Sequence, residues 1–453
     1  MKLIRSISGI RGIIGTNFND KIAAEYAKSF SSIQGDGPIL IGRDTRNQGL
    51  EISNAIKSSL TSLGRDIFDC DIAPTPIIQF LAKKLNTCGA IMVTASHNPE
   101  EWNGLKFIDS DGCFINKNKN QKLLENFDNN LNYIKSDYTG KIWDKREAIT
   151  LFFESLFNLD FIDINSIKDK NFKVVIDTVN GANFKILPAM LKKLNCDVVE
   201  VFCNNSGVFD RNPEPLGENL AILSKKVIEE KADIGLACDP DGDRLSIVDN
   251  NGNAIGEENT LVLCADSFYS ETNSTSPLIT NLSSSMCLDF IASKHNIPIF
   301  RSAIGEANVI ELMKDKQSDF GGEGNGGVIL KDVHLGRDSL VASIIILNML
   351  HKENKTLNEI MKTIPTYSMI KEKINIPNID ISTFYNFLSK EYNDAKIDTT
   401  DGIKFLWDEK WLHLRSSNTE PVIRIIAESF NPDSTKQLIK DSISKLNRYC
   451  LEN

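Results

Sequence analysis

The sequence predicts a multidomain α/β protein, with three similar α/β domains followed by a distinct α+β C-terminal domain. Short apolar runs alternate with helix-like stretches, the alternation recurs along the chain, and the last part departs from it. The chain's 453 residues exceed what one ordinary core organises, since domains cluster at roughly 100–150 residues.

The first unit reads as a strand at Ile39-Leu40-Ile41, an amphipathic helix near 52–63 and a strand at Ile91-Met92-Val93. An Asn- and Lys-rich stretch over 116–132 reads as loop surface. The pattern returns with a strand at Val174-Val175-Ile176, a helix near 185–194 and a strand over 197–202, and again over 277–295. In the tail, Trp411-Leu412-His413-Leu414 and Val422 to Ile426 read as strands. A closing helix near 434–446 places Leu438, Ile439, Ile443 and Leu446 at helical spacing. The boundaries fall at 1–145, 146–250, 251–365 and 366–453.

The formal charge of −10, from 51 Lys+Arg against 61 Asp+Glu, argues against a nucleic-acid footprint, because such affinity accumulates from cationic contacts. Any anion it handles is expected to be small and to meet a local basic pocket. The 9 cysteines are scattered without a C-x-x-C pair, which fits core thiols in a reducing, cytoplasmic setting. No apolar run is long enough to predict an export signal or a membrane span.

Four loops carry chemistry. The apolar run Ala90 to Thr94 leads into Ala95-Ser96-His97-Asn98-Pro99, and Pro99 keeps Asn98 out of a helix. Ser96 is therefore presented at a turn beyond a strand end, where α/β proteins place reacting groups. His97 is adjacent, although adjacency alone does not make a catalytic pair. Asn103 to Phe107 reads as a turn returning Lys106 toward this loop, either to neutralise a phosphate or, with a lowered pKa, to act as general acid or base.

Asp239-Pro240-Asp241-Gly242-Asp243-Arg244 sets three carboxylates at alternate positions between apolar runs. Such groups repel unless a cation shares them, which points to a divalent metal and, with oxygen ligands only, to Mg²⁺. An EF-hand is ruled out by Arg244 where the turn needs glycine and by Asn250 where a bidentate glutamate belongs. An aspartate nucleophile is the rival reading, but it leaves the third carboxylate and Arg244 without a role.

Gly321 to Gly327 combines backbone freedom with Glu323 and Asn325, suited to closing over sugar hydroxyls or simply to turning. Arg415-Ser416-Ser417-Asn418-Thr419-Glu420-Pro421 lies between two strand-like runs and has the makings of a phosphate nest, with Arg424 on the following strand.

Taken in order, Ser8-Gly9-Ile10-Arg11-Gly12, Thr94 to Pro99, Asp239 to Arg244, Gly322 to Gly327 and Arg415 to Pro421 resemble the motifs of the α-D-phosphohexomutase family, most closely phosphoglucosamine mutases, over essentially the whole chain. The resemblance implies four domains around a central cleft, each giving one loop to the site. It implies that Ser96 carries the phosphoryl group, that Asp239, Asp241 and Asp243 hold Mg²⁺ with an oxygen from Ser96, and that Glu323 and Asn325 grip the sugar. Arg415, Ser417, Asn418 and Thr419, assisted by Arg424, would bind the non-reacting phosphate. Arg11, Lys106, Arg244 and His97 would complete the catalytic set, and a sugar 1,6-bisphosphate would serve as intermediate and activator. The ligand is then a hexose or hexosamine phosphate, and the protein a monomer or homodimer.

The usual sugar motif has a serine and a final histidine at the places of Asn325 and Gly327. The Gly-Glu-Gly-Asn-Gly-Gly form looks like that of some phosphoglucosamine mutases, so glucosamine phosphate is the expected sugar. Glu323, as a possible partner for an amino group, points weakly the same way. Phosphomannomutase or phosphoglucomutase activity, a one-way phosphotransferase or phosphatase, and a non-catalytic sugar-phosphate binding protein are the alternatives.

Overall fold

The computed structural model describes residues 3–131, 133, 136–375, 380–416 and 422–452. Four separate sheets organise them. The first has seven strands in the order Ile4–Ser6, Gly9–Ile13, Trp102–Asp109, Gly89–Val93, Ile39–Arg43, Ile67–Ile72, Ile142–Asp144. The second runs Leu245–Val248, Ile234–Cys238, Lys173–Asp177, Asp197–Val201, and the third Ile299–Ser302, Leu278–Asn281, Phe320–Glu323, Gly327–Leu330. Helices join the parallel neighbours, as the alternation predicts. The last sheet is antiparallel, Ser368–Asn375, Val422–Ser429, Lys410–Ser416, Ile403–Leu406, Lys396–Asp398, and is covered by the closing helix Pro432–Glu452.

One feature repeats in the first three sheets. Each ends a parallel run on a strand that pairs antiparallel with the next: Gly89–Val93 with Trp102–Asp109, Ile234–Cys238 with Leu245–Val248, and Phe320–Glu323 with Gly327–Leu330. The connections between these partners are the serine, aspartate and glycine-rich loops. Three different chemistries thus occupy one topological position.

Two local expectations are corrected. Residues 103–107 are not a turn but lie within the strand Trp102–Asp109. Gly104 is there because a Cβ would run into Ile10 O and come within 2.9 Å of Thr94 O, so its signal is close packing between strands. The Asn/Lys-rich stretch is not loop surface throughout but forms the helix Lys117–Asp128, whose first turn is capped by Asn116 accepting from Lys119 N. Its apolar contacts are Leu123, Leu124 and Phe127, the last stacked on Tyr26, all in the second half of the helix and too few to show as periodicity.

A continuous apolar core runs through the first three sheets, from Leu40 and Ile77 through Leu187 and Leu236 to Leu261, Ile344 and Ile364. The C-terminal sheet keeps a core of its own around Phe384, Phe405, Leu412 and Ile425. It meets the third sheet through polar contacts: Glu428 accepts from Ser285 Oγ at 2.5 Å and Met286 N at 2.7 Å, and Lys404 Nζ donates to Leu282 O at 2.5 Å. Among the described residues all nine cysteines are free thiols, and no helix is long and apolar enough to cross a membrane.

His413 belongs to that polar seam. Its Nε2 lies 2.6 Å from Asp401 O, which can only accept, so Nε2 carries the proton and Nδ1 accepts from Ser283 Oγ at 2.9 Å. Burial, reinforced by Lys404 against the opposing bond to Asp401, pushes the imidazole pKa down to about 4. An unfolded histidine titrates near 6.5, so this group stabilises the fold above that pH. The contribution, about 3 kcal/mol, is lost as pH falls through the window down to about 4. Unfolding free energies at pH 7 and pH 4.5 should therefore differ less in His413→Gln than in the parent protein, and equal differences would rule the seam out as the origin.

Candidate active site

Ser96 follows the buried strand Gly89–Val93 and takes a left-handed backbone, φ 50, uncommon for a side chain other than Asn or Gly. The corner is held by Ser96 N donating to Thr94 Oγ1 at 2.9 Å, which in turn donates to Asp44 Oδ2 at 2.6 Å. It aims the hydroxyl at the second sheet, where Ser96 Oγ donates to Asp239 Oδ2 at 3.1 Å. His97 Nδ1 is 3.4 Å from the same oxygen.

Asp239, Asp241 and Asp243 are fully buried and present oxygens within 4.8 Å of one another. Gly242, with φ 72, makes this turn possible, because a Cβ there would come to 2.6 Å from Asn183 Nδ2 and 2.9 Å from Pro74 Cβ. Asp239 Oδ1 accepts from Asp243 N and Arg244 N, each at 3.1 Å. Asp241 Oδ2 accepts from Thr75 Oγ1 and Lys106 Nζ, each at 2.5 Å, and Asp243 Oδ2 from Lys106 Nζ at 2.9 Å and Arg337 Nη2 at 2.8 Å. Asp241 Oδ1 and Asp243 Oδ1 are buried without a hydrogen-bond partner among the described residues. Buried, unsatisfied carboxylate oxygens converging from one turn fit an oxygen-ligated divalent cation.

Burial, then the charges of Asp243 and Asp241, hold the Asp239 carboxyl well above its usual range. Burial also opposes ionisation of Asp243, but Arg337 and Lys106 outweigh it and hold its pKa low. Lys106 is fully enclosed, which disfavours its charge, yet Asp241 and Asp243 raise its pKa above the ordinary value. Its ammonium bridges Asp241 and Asp243, a placement suited to neutralising charge. Burial, with Arg244 and Arg11 nearby, keeps the His97 imidazole neutral, its pKa well below 6.5.

The third sheet brings Glu323 to the same region. Its Oε1 accepts from Asn281 Nδ2 at 2.9 Å and Gly305 N at 3.0 Å, and its Oε2 from Arg337 Nη1 at 2.9 Å. Asn325 Oδ1 is buried and unpartnered among the described residues. From the last sheet, Arg415 and Arg424 face each other across paired strands, and Lys373 pairs with Arg424 on the other side. Like charges on one rung are destabilising, and Arg415 Nε and Arg424 Nε lack partners among the described residues, which suits this rung to receive an anion. Ser417, Asn418 and Thr419 lie outside the described residues.

The chain matches four phosphoglucomutase/phosphomannomutase domain families in succession: α/β/α domain I over 2–134, α/β/α domain II over 151–252, α/β/α domain III over 257–367 and the C-terminal domain over 386–446. It belongs to the α-D-phosphohexomutase family. It is 34% identical to a phosphoglucomutase/phosphomannomutase of Thermococcus kodakarensis over 97% of each chain. With a phosphoglucosamine mutase of Methanococcus aeolicus it shares 31% identity over 96% of this chain and 97% of that one. The fold matches that of a family protein of Burkholderia thailandensis with a TM-score of 0.85 at 24% identity, covering 98% of both chains. The protein is thus a mutase, an intramolecular phosphotransferase acting on hexose phosphates.

Within this phosphohexomutase site the structure places Arg11, whose Nη1 donates to Asn98 Oδ1 at 2.9 Å, on the serine loop. Arg244 reaches Glu214 Oε1 at 3.3 Å. Several groups escaped sequence reasoning. Arg46, fully buried, donates Nη1 to the carbonyls of Pro99 (2.6 Å) and Trp102 (2.9 Å), Nη2 to those of Ser96 (2.6 Å) and Asn98 (2.7 Å), and Nε to Asp44 Oδ2 (3.1 Å). Thr75, Lys373 and Arg337 were likewise unseen. Their partners come from distant segments or from main-chain atoms, and the Asp44-Thr45-Arg46 charge pair was the one local hint.

Proposed function

We propose that this phosphohexomutase interconverts glucosamine 6-phosphate and glucosamine 1-phosphate through phospho-Ser96 and the 1,6-bisphosphate. The reading of Ser96 as phosphoryl carrier rests on its hydroxyl lying 3.1 Å from Asp239, the first carboxylate of the three-aspartate turn. The amino-sugar reading rests on the Gly-Glu-Gly-Asn-Gly-Gly form of the sugar loop and on relatives named phosphoglucosamine mutase.

A free sugar hydroxyl attacks the phosphorus of phospho-Ser96, so that a P–O bond to the sugar forms as the bond to Ser96 Oγ breaks. The proton released by the sugar hydroxyl ends on Ser96 Oγ, which leaves as the serine hydroxyl. His97 Nδ1, 3.4 Å from Oγ and neutral, is placed to exchange that proton. The bisphosphate then turns within the cleft and returns its other phosphoryl group to Ser96. Mg²⁺ held by Asp239, Asp241 and Asp243 with a phosphoserine oxygen would neutralise charge on the transferred group. Arg11, Arg244 and Lys106 add positive charge around it, Glu323 and Asn325 hold the sugar hydroxyls, and Arg415 and Arg424, with Ser417, Asn418 and Thr419, hold the other phosphate. Turning requires the cleft to loosen, which the separate core and polar seam of the C-terminal sheet favour. The free thiols fit a cytoplasmic protein.

One observation favours the phosphomannomutase/phosphoglucomutase alternative: Glu323 already has Arg337 as its cationic partner at 2.9 Å, which removes the case for pairing with an amino group. Turnover of the 6-phosphates of glucosamine, glucose and mannose, with Mg²⁺ and a trace of the matching bisphosphate, decides between them. Highest kcat/KM is expected with glucosamine 6-phosphate. A preference for glucose or mannose would overturn the sugar assignment and leave the mutase chemistry intact.

A further inference from the structure

We propose that Gly327 exists to admit Arg337, which acts as the positioning residue that locks the sugar carboxylate Glu323 to the metal-site carboxylate Asp243. A Cβ built on Gly327 would overlap Arg337 Cδ and stand 2.8 Å from its Cγ, so the arginine stem fills the volume that any side chain at 327 would take. The usual family motif has a histidine there. In this chain a cation enters the same space from ten residues later in the sequence.

Each edge of the Arg337 guanidinium meets a different carboxylate. Nε donates to Glu306 Oε2 at 3.0 Å, Nη1 to Glu323 Oε2 at 2.9 Å and Nη2 to Asp243 Oδ2 at 2.8 Å. Glu306 in turn accepts at Oε1 from Gln79 Nε2 at 3.0 Å, so one buried network joins the first three sheets. The backbone beside Arg337 is held as well: Asp338 N donates to Val328 O at 2.9 Å, and Asp338 Oδ1 caps the helix Ser339–Glu353 by accepting from Leu340 N at 2.7 Å and Val341 N at 3.1 Å. A planar fork with fixed geometry, mounted on a fixed backbone, sets the distance between the sugar grip and the phosphoryl site more tightly than a flexible ammonium would. Bonded to three carboxylates, Arg337 acts through Glu323 and Asp243 as a positioning residue.

The inference rests on Glu323 being the sugar carboxylate, and the test separates the two claims. Gly327→His, Arg337→Gly and the double variant are compared by kcat and KM on the preferred sugar phosphate, and by calorimetric binding of glucose 6-phosphate to the metal-free protein. Each single change is expected to lower kcat/KM about 100-fold, since displaced groups of this kind cost that much. In the double variant the histidine regains its volume, and kcat/KM is expected to recover about tenfold over either single. Additive losses, or an Arg337→Gly enzyme with parental kcat and KM, would overturn the proposal. Should the glycine variants not fold, Arg337→Lys keeps charge without the fork: raised KM with weakened glucose 6-phosphate binding supports the proposal, and parental values refute it. Glu323→Gln with unchanged KM would instead overturn the sugar-carboxylate reading beneath it.

Discussion

Ser96→Ala is expected to lower mutase turnover by at least about 10⁴-fold, because it removes the atom proposed to carry the phosphoryl group between the two half-reactions. Binding is expected to survive. Glu323, Arg415 and Arg424, the proposed sugar and phosphate contacts, belong to other sheets and are not bonded to the serine hydroxyl. The fold should survive too, since the corner is tied by the Ser96 main chain to Thr94 and Arg46, and the lost bond to Asp239 is worth about 1 kcal/mol. Steady-state kinetics primed with the 1,6-bisphosphate measure the effect, and phosphopeptide mass spectrometry shows whether residue 96 is modified in the parent. Residual turnover within tenfold of the parent would remove Ser96 from the chemistry.

The second large effect is structural. Arg46→Met deletes all five donors that tie the carbonyls of Ser96, Asn98, Pro99 and Trp102 to Asp44, and leaves Asp44 fully buried without its counter-ion. Breaking a buried ion pair from one side costs about 3–5 kcal/mol, and the folded remainder should have lost kcat about 100-fold through misplacement of the serine. Arg46→Lys restores charge without the fork, so it should recover part of the stability but little of the kcat. Urea unfolding and single-turnover phosphoryl transfer measure the two losses. If Arg46→Met keeps parental kcat, the serine corner is held by its other contacts alone.

The alternation of apolar runs and helices was legible because period and length are local properties. Strands such as Gly89–Val93 and Ile234–Cys238 are buried along their whole length, so they are apolar without interruption and stand out. The helix Lys117–Asp128 was not legible, because its three apolar residues, Leu123, Leu124 and Phe127, are outnumbered by nine polar ones. Gly104 was misread as a turn because glycine marks close packing and chain reversal alike.

By itself the sequence determined the four candidate loops, the acidic turn that asks for a cation and the order of the units, since each is written in consecutive residues. Only the tertiary structure decided that three of those loops occupy the same strand-to-strand connection, that Lys106 sits between Asp241 and Asp243, that Arg46 ties the serine corner and that Arg337 bonds Asp243 and Glu323 together. The physical reason is that such groups are defined by what surrounds them. A lysine's charge state, an arginine's fork and the space beside a glycine depend on atoms contributed by segments far apart in the chain, and come into being only when the sheets pack.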